Sequence, residues 1–189
     1  MRYLKIETIR SPRLLLRQFE PADARQIAGR CGADECNAQV NVPMNPFCTI
    51  TTAIDFMQVE QTGCRGNPPC AGFWAVERDG RTVGFVGIYH IDWELRACEM
   101  GYWVDSPYRG QGIATEAVRA VVGFLFGTCG FNRVYAQYNA RNEACGKVLQ
   151  KAGMSYEGTM HEATRMPDGT YGDLMQYAVL KAEWQEIRF

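Results

Sequence analysis

The residues with the clearest chemical character lie between Ser106 and Ala117, in the stretch SPYRGQGIATEA. Gly110 and Gly112 bracket Gln111, although one glycine is enough to turn a chain from a strand into a helix. At a helix N-terminus, consecutive amide N–H groups and about half a positive charge favour a bound anion. Two glycines there let a bulky anion approach the backbone, so the stretch predicts a diphosphate site.

The neighbouring residue types fit the same ligand. Side chains at 110, 112 and 114 would crowd the phosphate oxygens, and the residues there are Gly, Gly and Ala. A Walker loop would need Gly-Lys-Ser/Thr, and a dinucleotide fingerprint would need a third glycine and an acidic residue after a second parallel strand. Neither pattern is present. The predicted contacts of the anion are Arg109, Gly110, Gln111, Gly112, Ile113, Ala114 and Thr115, with a positive charge from the first and a hydroxyl from the last.

Few other side chains have obvious chemistry. Histidine titrates near neutral pH, but His90 lies at the end of a predicted strand beside Asp92, where an exposed or structural histidine is more usual. The eight cysteines form no CxxC pair and the two histidines lie far from them, so we expect no metal. Most thiols are expected to be reduced and to fill apolar space, and the tyrosines and phenylalanines outside the motifs to be core.

Composition and charge exclude several classes of function. The 189 residues suit one domain, 1–189, and 47% apolar with 22% charged residues is typical of a soluble globular protein. The 20 basic and 21 acidic residues leave a net charge of -1, without the basic block that binds nucleic acid. The start lacks the features of a secretory signal, and the longest apolar run is too short to span a bilayer. We therefore expect a cytoplasmic protein with neither nucleic acid nor membrane as a partner.

Secondary-structure patterns surround the glycine stretch. Apolar residues recur at helical spacing from Ile113 to about Gly127, CEMGYWV before the stretch predicts a strand, and Asp79-Gly80 predicts a β-hairpin. The other predicted elements are a strand in RLLLRQF, a helix in EPADARQIAGRCG with Pro21 and Asp23 in its first turn, a short helix at 52–61, a strand in NRVYAQYN, a helix in NEACGKVLQKAG closed by Gly153, and a terminal hairpin turning at 167–170. This order predicts an α+β fold with mainly antiparallel strands rather than a doubly wound sheet.

The glycine stretch resembles the acetyl-CoA-binding motif of the GNAT N-acetyltransferase superfamily, with Arg-x-x-Gly-x-Ala at 109–114. The likeness continues through SPRLLLRQFEPADA, GFWAVERDGRTVGFVGI, EMGYWVDSPYRGQGIATEAV, NRVYAQYNARNEACGKVLQKAGM and GDLMQYAVLKAEW. Together these segments are most similar to the Rim-type (RimJ/RimL) branch of ribosomal-protein N-acetyltransferases. The resemblance implies a GNAT fold, in which a central sheet with splayed strands carries flanking helices, and it implies acetyl-CoA as co-substrate.

The resemblance also implies where the CoA arm lies. The strand ending at Val104 would splay from the strand RVYAQYN, and the pantetheine would pair with backbone groups near Trp103 and Val104 as an added strand would. Asn142 matches the asparagine that contacts the CoA arm in the family. An asparagine there equally suits a helix N-cap, and both roles can hold. The loops NVPMNPFCT and TGCRGNPPCAG are expected to border the acceptor cleft by analogy.

Acetyl transfer from a thioester to an amine requires a neutral amine, a stabilised oxyanion and a protonated leaving thiolate. Glu99 is the first candidate base, because family members often carry an acidic residue at this position; a surface or hydrogen-bonding glutamate is the alternative. His90 is the second candidate base, and Glu162 and Asp173 are further candidates. A backbone N–H near Val104 is expected to meet the oxyanion.

Cys145 is the candidate acid for the leaving thiolate. Many GNAT enzymes carry a tyrosine seven residues after the asparagine, where this chain has Leu149. Rim-type relatives carry a serine three residues after it, where this chain has Cys145. A thiol there could protonate or hydrogen-bond the thiolate, and a buried apolar cysteine is the equal alternative. An acetyl-cysteine intermediate is disfavoured, because the family transfers directly and no histidine is adjacent.

These features predict an acetyl-CoA-dependent N-acetyltransferase that works by direct attack of a primary amine. The favoured acceptor is a protein N-terminal α-amine, possibly ribosomal, because the resemblance to the Rim-type branch is closest. An α-amine with pKa about 8 is partly neutral at pH 7, whereas a lysine amine needs stronger help from a base. The alternatives are a small amine such as a polyamine or antibiotic, and a CoA-binding module without catalysis. The chain is expected to be a monomer or a homodimer.

Overall fold

The computed structural model describes residues 4–27, 70–166 and 168–184. The predicted helix at 52–61, the loop NVPMNPFCT and most of TGCRGNPPCAG lie outside these ranges. The statements that follow concern the described residues.

One mostly antiparallel sheet dominates the described structure. Its eight strands are β1 (Ile9–Arg10), β2 (Leu15–Arg17), β3 (Gly72–Arg78), β4 (Arg81–Asp92), β5 (Ala97–Val104), β6 (Arg133–Asn139), β7 (Ser155–Arg165) and β8 (Tyr171–Leu180). Their spatial order is β1-β2-β3-β4-β5-β6-β8-β7, with β5 and β6 parallel and the other neighbours antiparallel. The described helices are α1 (Pro21–Ile27), α2 (Ile113–Gly127) and α3 (Glu143–Lys151), and a 3-10 turn covers Ser106–Tyr108. The predicted α+β class is confirmed.

Two predictions from local pattern, the Asp-Gly hairpin and the helix closed by Gly153, are confirmed. Asp79 and Gly80 have φ of 51° and 73°, and they join β3 to β4. Such positive φ at both central residues is what an Asp-Gly hairpin turn supplies. Gly153, with φ of 92°, ends the turn after α3 as expected.

The first predicted strand is shorter than the pattern RLLLRQF. Its ladder covers only Leu15–Arg17. At Arg13 the backbone N–H donates to the Glu116 carboxylate at 2.9 Å, so this residue binds α2 instead of a neighbouring strand.

A buried ion pair anchors α1. Asp23 is 0% exposed, and its two oxygens accept from Arg17 Nη1 and Nη2 at 2.8 and 2.9 Å. The Thr82 hydroxyl and the Glu20 amide also donate to it. Asp23 was expected to complement the helix dipole; the structure shows that it also ties α1 to β2 and β4.

The main core lies between one face of the sheet and α2. Burying one aliphatic or phenyl side chain stabilises the folded state by about 1.5–3 kcal/mol. The residues expected from helical spacing are all buried, namely Ile113, Ala117, Val118, Val121, Val122, Leu125 and Phe126. They share one core with Val86 and Ile88 of β4 and Met100 of β5. This packing holds the N-terminus of α2 beside the end of β5.

The parallel pair β5–β6 opens into a gap. Ladder pairs join the two strands only over 97–99 of β5 and 133–135 of β6, although the strands run on to Val104 and Asn139. Beyond residue 99, that edge of β5 has no strand beside it in the described part of the chain. The predicted splay is confirmed, and the open edge offers backbone N–H and C=O groups to an extended ligand.

Candidate active site

A cavity of about 300 Å³ occupies the gap between β5 and β6. Because side chains alternate along a strand, the lining residues Met100 and Tyr102 face the helices, whereas Gly101 and Trp103 face the other side of the sheet. The cavity therefore passes through the sheet. We call the part against the glycine loop and α3 the helix end. The aromatic end is the part lined by Phe73, Phe85, Tyr89 and Trp103.

The glycine loop presents bare backbone to the helix end. Gly110 and Gly112 have φ of 73° and 78°, in the left-handed region that favours glycine. A Cβ added at Gly110 would meet nothing within 4 Å, and one at Gly112 would meet only Arg13 Nη2, at 3.3 Å. Gly112 is the N-cap of α2 and no side chain caps that helix. The first-turn amides of α2 can therefore face an anion such as a diphosphate.

Most of the predicted anion contacts line the cavity, with one exception. The lining includes Arg109, Gly110, Gly112, Ile113, Ala114 and Thr115. Gln111 is not among the lining residues: its Oε1 accepts from Arg78 Nη1 at 2.6 Å and its Nε2 donates to Pro107 O at 3.1 Å. A contact between Gln111 and a ligand would have to come from its backbone.

Three predicted residues border the open edge of β5. Trp103 is 4% exposed and stacks on Phe85 with ring centroids 6.0 Å apart. The Val104 carbonyl accepts from Arg109 Nε at 2.9 Å, which holds the arginine beside the cavity it lines. The predicted residues at the end of β5 and in the glycine loop therefore lie together at the cavity.

Asn142 lies at the opposite wall of the helix end. Its Oδ1 accepts from the Cys145 backbone N–H at 3.3 Å, so it is the N-cap of α3. It also lines the cavity. The structure thus confirms the N-cap alternative and leaves the residue within reach of a ligand.

Cys145 meets a tyrosine that sequence reasoning missed. Its Sγ lies 3.0 Å from the Tyr102 hydroxyl, which also donates to the Cys145 carbonyl at 3.2 Å, and both residues line the cavity. Burial raises the pKa of the Cys145 thiol to about 11, although the hydrogen bond to Tyr102 lowers it. At neutral pH the group is a protonated thiol, which can donate a hydrogen bond to a leaving thiolate and is a poor nucleophile.

Glu99 and His90, two separate candidates, form one pair. Glu99 is 8% exposed, and its Oε2 lies 2.9 Å from His90 Nδ1. His90 has φ of 49° at an irregularity in β4, a conformation uncommon outside glycine, and its side chain is 73% exposed. Neither residue is among those that line the cavity.

Tyr89 connects this pair to the cavity. It lines the aromatic end, and burial raises the pKa of its phenol, with the Glu99 charge and a hydrogen bond to Glu99 adding to the effect. A Cβ at Gly101 would lie 2.9 Å from the Tyr89 hydroxyl, so this position needs glycine. The expectation that tyrosines and phenylalanines outside the motifs are core was wrong for Tyr89, which lines the cavity. The β4–β5 register pairs Tyr89 with Glu99, and no local sequence pattern indicated that register.

Glu162 and Asp173 lie apart from the cavity lining. Asp173 accepts from the Glu162 backbone N–H at 2.8 Å and lies 3.1 Å from His161 Nδ1. These exposed contacts stabilise the irregular part of the β7–β8 hairpin, where Glu162 has φ of 51°.

The described ranges contain neither a membrane-spanning helix nor a cluster of metal-binding side chains. None of the helices there has the length and apolarity to cross a bilayer. No three His, Cys, Asp or Glu side chains of those residues gather where they could hold a metal ion.

Comparisons with known proteins agree with this geometry. A family model described as an acetyltransferase (GNAT) domain matches residues 13–155. The chain is 31% identical over 107 residues to YdaF of Bacillus subtilis, whose name proposes a ribosomal N-acetyltransferase; this alignment covers 57% of the chain and 58% of YdaF. It is 26% identical over 180 residues to the uncharacterized N-acetyltransferase p20 of Bacillus licheniformis, covering 95% of the chain and 99% of p20.

Solved structures match along nearly the whole chain. RimL, a ribosomal L7/L12 alpha-N-protein acetyltransferase solved with coenzyme A, superposes with a TM-score of 0.83 at 20% identity. The match covers 92% of this chain and 98% of RimL. At this identity the likeness shows the fold, which is the GNAT fold.

Proposed function

Because this chain belongs to the GNAT acetyltransferase family and is an acetyl-CoA-dependent N-acetyltransferase, we propose that its acceptor is the α-amine of a protein N-terminus, and a ribosomal protein in particular. We further propose that acetyl-CoA occupies the helix end of the cavity and that the acceptor enters by the aromatic end. The observation that carries this assignment is the cavity through the sheet between the splayed strands β5 and β6.

Charge around the cavity favours an N-terminal amine over a polyamine. The charged side chains among its described lining residues are Arg109, Lys147 and Lys151, all cationic. They suit the phosphates of acetyl-CoA, and none of the described lining residues is a carboxylate that would attract a polycation. The aromatic end offers rings, which suit the backbone and side chains of a peptide. An α-amine is also partly neutral at pH 7, so it places a smaller demand on the base.

The residues at the helix end support binding of acetyl-CoA as substrate. The amides of the α2 N-terminus and Arg109 would hold the diphosphate. The open edge of β5 near Trp103 and Val104 would pair with the pantetheine amides, and a backbone N–H near Val104 would meet the oxyanion. Asn142 would contact the arm from α3.

Direct transfer follows from two groups on opposite sides of the thioester. The acceptor nitrogen attacks the carbonyl carbon, so the N–C bond forms and the C–S bond breaks. We assign Glu99 as the base, reached through the Tyr89 hydroxyl, which accepts the amine proton while passing its own to the carboxylate. His90 Nδ1 lies 2.9 Å from the same carboxylate, and the histidine side chain is exposed to solvent.

The leaving sulfur takes its proton from Cys145. The thiol is protonated at neutral pH, since burial raises its pKa to about 11. Tyr102, in contact with Cys145 Sγ at 3.0 Å, orients that thiol. Both Glu99 and Cys145 return to their starting states by proton exchange with solvent.

A mass-spectrometric panel tests the acceptor. Purified protein and acetyl-CoA are offered short peptides with free N-termini, the same peptides with blocked N-termini and free lysines, polyamines and aminoglycosides. We expect acetylation of the free-N-terminus peptides alone. Product from the small amines alone would overturn the substrate class and keep the chemistry, whereas CoA binding without any product would favour a CoA-binding module.

A further inference from the structure

A second, more open pocket adjoins the cavity at the N-terminus of α2. Its lining residues are Pro12, Arg13, Gly112, Thr115, Glu116 and Lys151. Gly112, Thr115 and Lys151 line both spaces. A ligand whose diphosphate lies over the α2 N-terminus would therefore extend into the second pocket with the group that follows the diphosphate. In coenzyme A that group is the 3′-phosphoadenosine.

Arg13 is held rigidly in this pocket. Its Nε and Nη2 each lie 2.6 Å from Glu116 Oε2, and its Nη1 donates to the Gln111 carbonyl at 2.9 Å. Glu116 is 6% exposed, and its Oε1 also accepts from the Ser11 hydroxyl at 2.7 Å. A fixed guanidinium loses little conformational freedom when a ligand binds.

The same arginine keeps donors for a ligand. A guanidinium has five N–H groups, of which these contacts use three. The side chain is 45% exposed, and its Nη2 lies 3.3 Å from the Cβ position of Gly112, beside the anion-binding loop. Two N–H groups of Arg13 therefore remain for an anion at this edge of the loop.

Net positive charge remains in the pocket after the ion pair is counted. Glu116 and Arg13 balance one another, so the charge comes from Lys151 at the end of α3. Thr115 adds a hydroxyl from the first turn of α2. A cation, a fixed guanidinium and a hydroxyl around an open pocket form a donor set suited to a phosphate monoester.

We propose that this second pocket binds the 3′-phosphate of coenzyme A through Arg13, Thr115 and Lys151. The pocket then distinguishes coenzyme A from its 3′-dephospho form, which carries the same diphosphate and pantetheine. The inference rests on acetyl-CoA as co-substrate and is independent of the acceptor proposed above.

The first test uses the unaltered protein and two ligands. Isothermal titration calorimetry measures Kd for coenzyme A and for 3′-dephospho-coenzyme A at the same ionic strength. We expect the dephospho form to bind about tenfold more weakly or worse, as loss of charge-assisted hydrogen bonds implies. Equal Kd values for the two ligands would overturn the proposal.

Two single substitutions test which side chains make the protein prefer coenzyme A to its 3′-dephospho form. Lys151→Gln changes an exposed side chain, and Arg13→Lys keeps the charge opposite Glu116 but removes the guanidinium fork. Each should weaken coenzyme A several-fold and leave 3′-dephospho-coenzyme A nearly unchanged. Thermal unfolding confirms that each variant is folded. If both ligands weaken equally in both variants, the two side chains act on the diphosphate and the proposal is wrong.

Lys147→Gln is the matched control. Lys147 lies one turn before Lys151 on α3, lines only the first cavity and lies 3.6 Å from Glu143. Its substitution removes the same charge, and it should change the two Kd values by the same factor. If this control also lost binding of coenzyme A selectively, the preference would come from overall charge. That result would contradict binding of the 3′-phosphate in the second pocket.

Discussion

Replacing Cys145 by alanine isolates the proposed leaving-group donor with little damage to the fold. The Tyr102 hydroxyl contacts Cys145 Sγ at 3.0 Å, but it also donates to the Cys145 carbonyl at 3.2 Å. That carbonyl remains in the alanine variant, so the buried phenol keeps an acceptor. The loss should therefore fall on the reaction rather than on stability.

The size of the loss follows from the kind of hydrogen bond removed. A hydrogen bond to a group that becomes charged, here the CoA thiolate, contributes about 1.5–3 kcal/mol. At about 1.4 kcal/mol for each tenfold change in rate, kcat should fall about 10- to 150-fold. Because the thiol pKa is about 11, the group stays protonated from about pH 6 to about pH 9, and the factor should be constant over that range.

The assay is mass-spectrometric measurement of initial rates with the best acceptor from the panel. Cys145→Ser should recover most of the lost rate, since a hydroxyl can donate to the thiolate and cannot form a thioester. Cys129→Ala is the matched control, because Cys129 is also half-buried with its pKa raised to about 11 but lies outside the cavity lining. Full turnover by Cys145→Ala would refute the leaving-group role.

Three further changes test the base, the loop and the fold. Glu99→Gln should lower kcat/KM by about 10²–10⁴, the usual contribution of a general base, and Tyr89→Phe should also lower it; full activity of Tyr89→Phe at pH 7 would remove the hydroxyl from the proton path. Gly112→Val places a β-branched residue at φ of 78° and should weaken CoA binding by calorimetry; unchanged affinity in the folded variant would contradict the diphosphate site. Asp23→Ala should cost about 3–5 kcal/mol in urea unfolding, because Arg17 loses a buried partner. Burial raises the pKa of Asp23, but the Arg17 hydrogen bond helps bring it below its usual value, so the stabilisation is present above about pH 4 and is lost as pH falls further. A variant whose acid unfolding matches the unaltered protein would argue against this pair.

Local patterns predicted most of the fold. The Asp79-Gly80 turn has the required positive φ at both residues, and α2 spans Ile113–Gly127 as its apolar spacing indicated. The first strand was predicted too long, because the Arg13 N–H pairs with a side chain 103 residues away. Such a long-range contact leaves no trace in local pattern.

The candidate site could be predicted only in part, because long-range contacts also shape it. The splay of β5 from β6 entered as an implication of the family resemblance, and the structure confirms it. Asn142 was predicted to contact CoA or to cap α3, and the cap is present. Gln111 was predicted as a contact, but its side chain pairs with Arg78 of β3 once the loop is folded against that strand.

The sequence by itself determined the conformation of the glycine loop, because everything that this conformation requires is local. Two residues need positive φ, small side chains must follow, and an apolar helix must begin there. Only the tertiary structure decided the surroundings of the reacting atoms. Tyr102 meets Cys145 across 43 residues of chain, Arg13 meets Glu116 across 103, and Tyr89 reaches Glu99 through the register of two strands. Strand register and helix docking depend on the packing of the whole core, so no local pattern can specify these pairs.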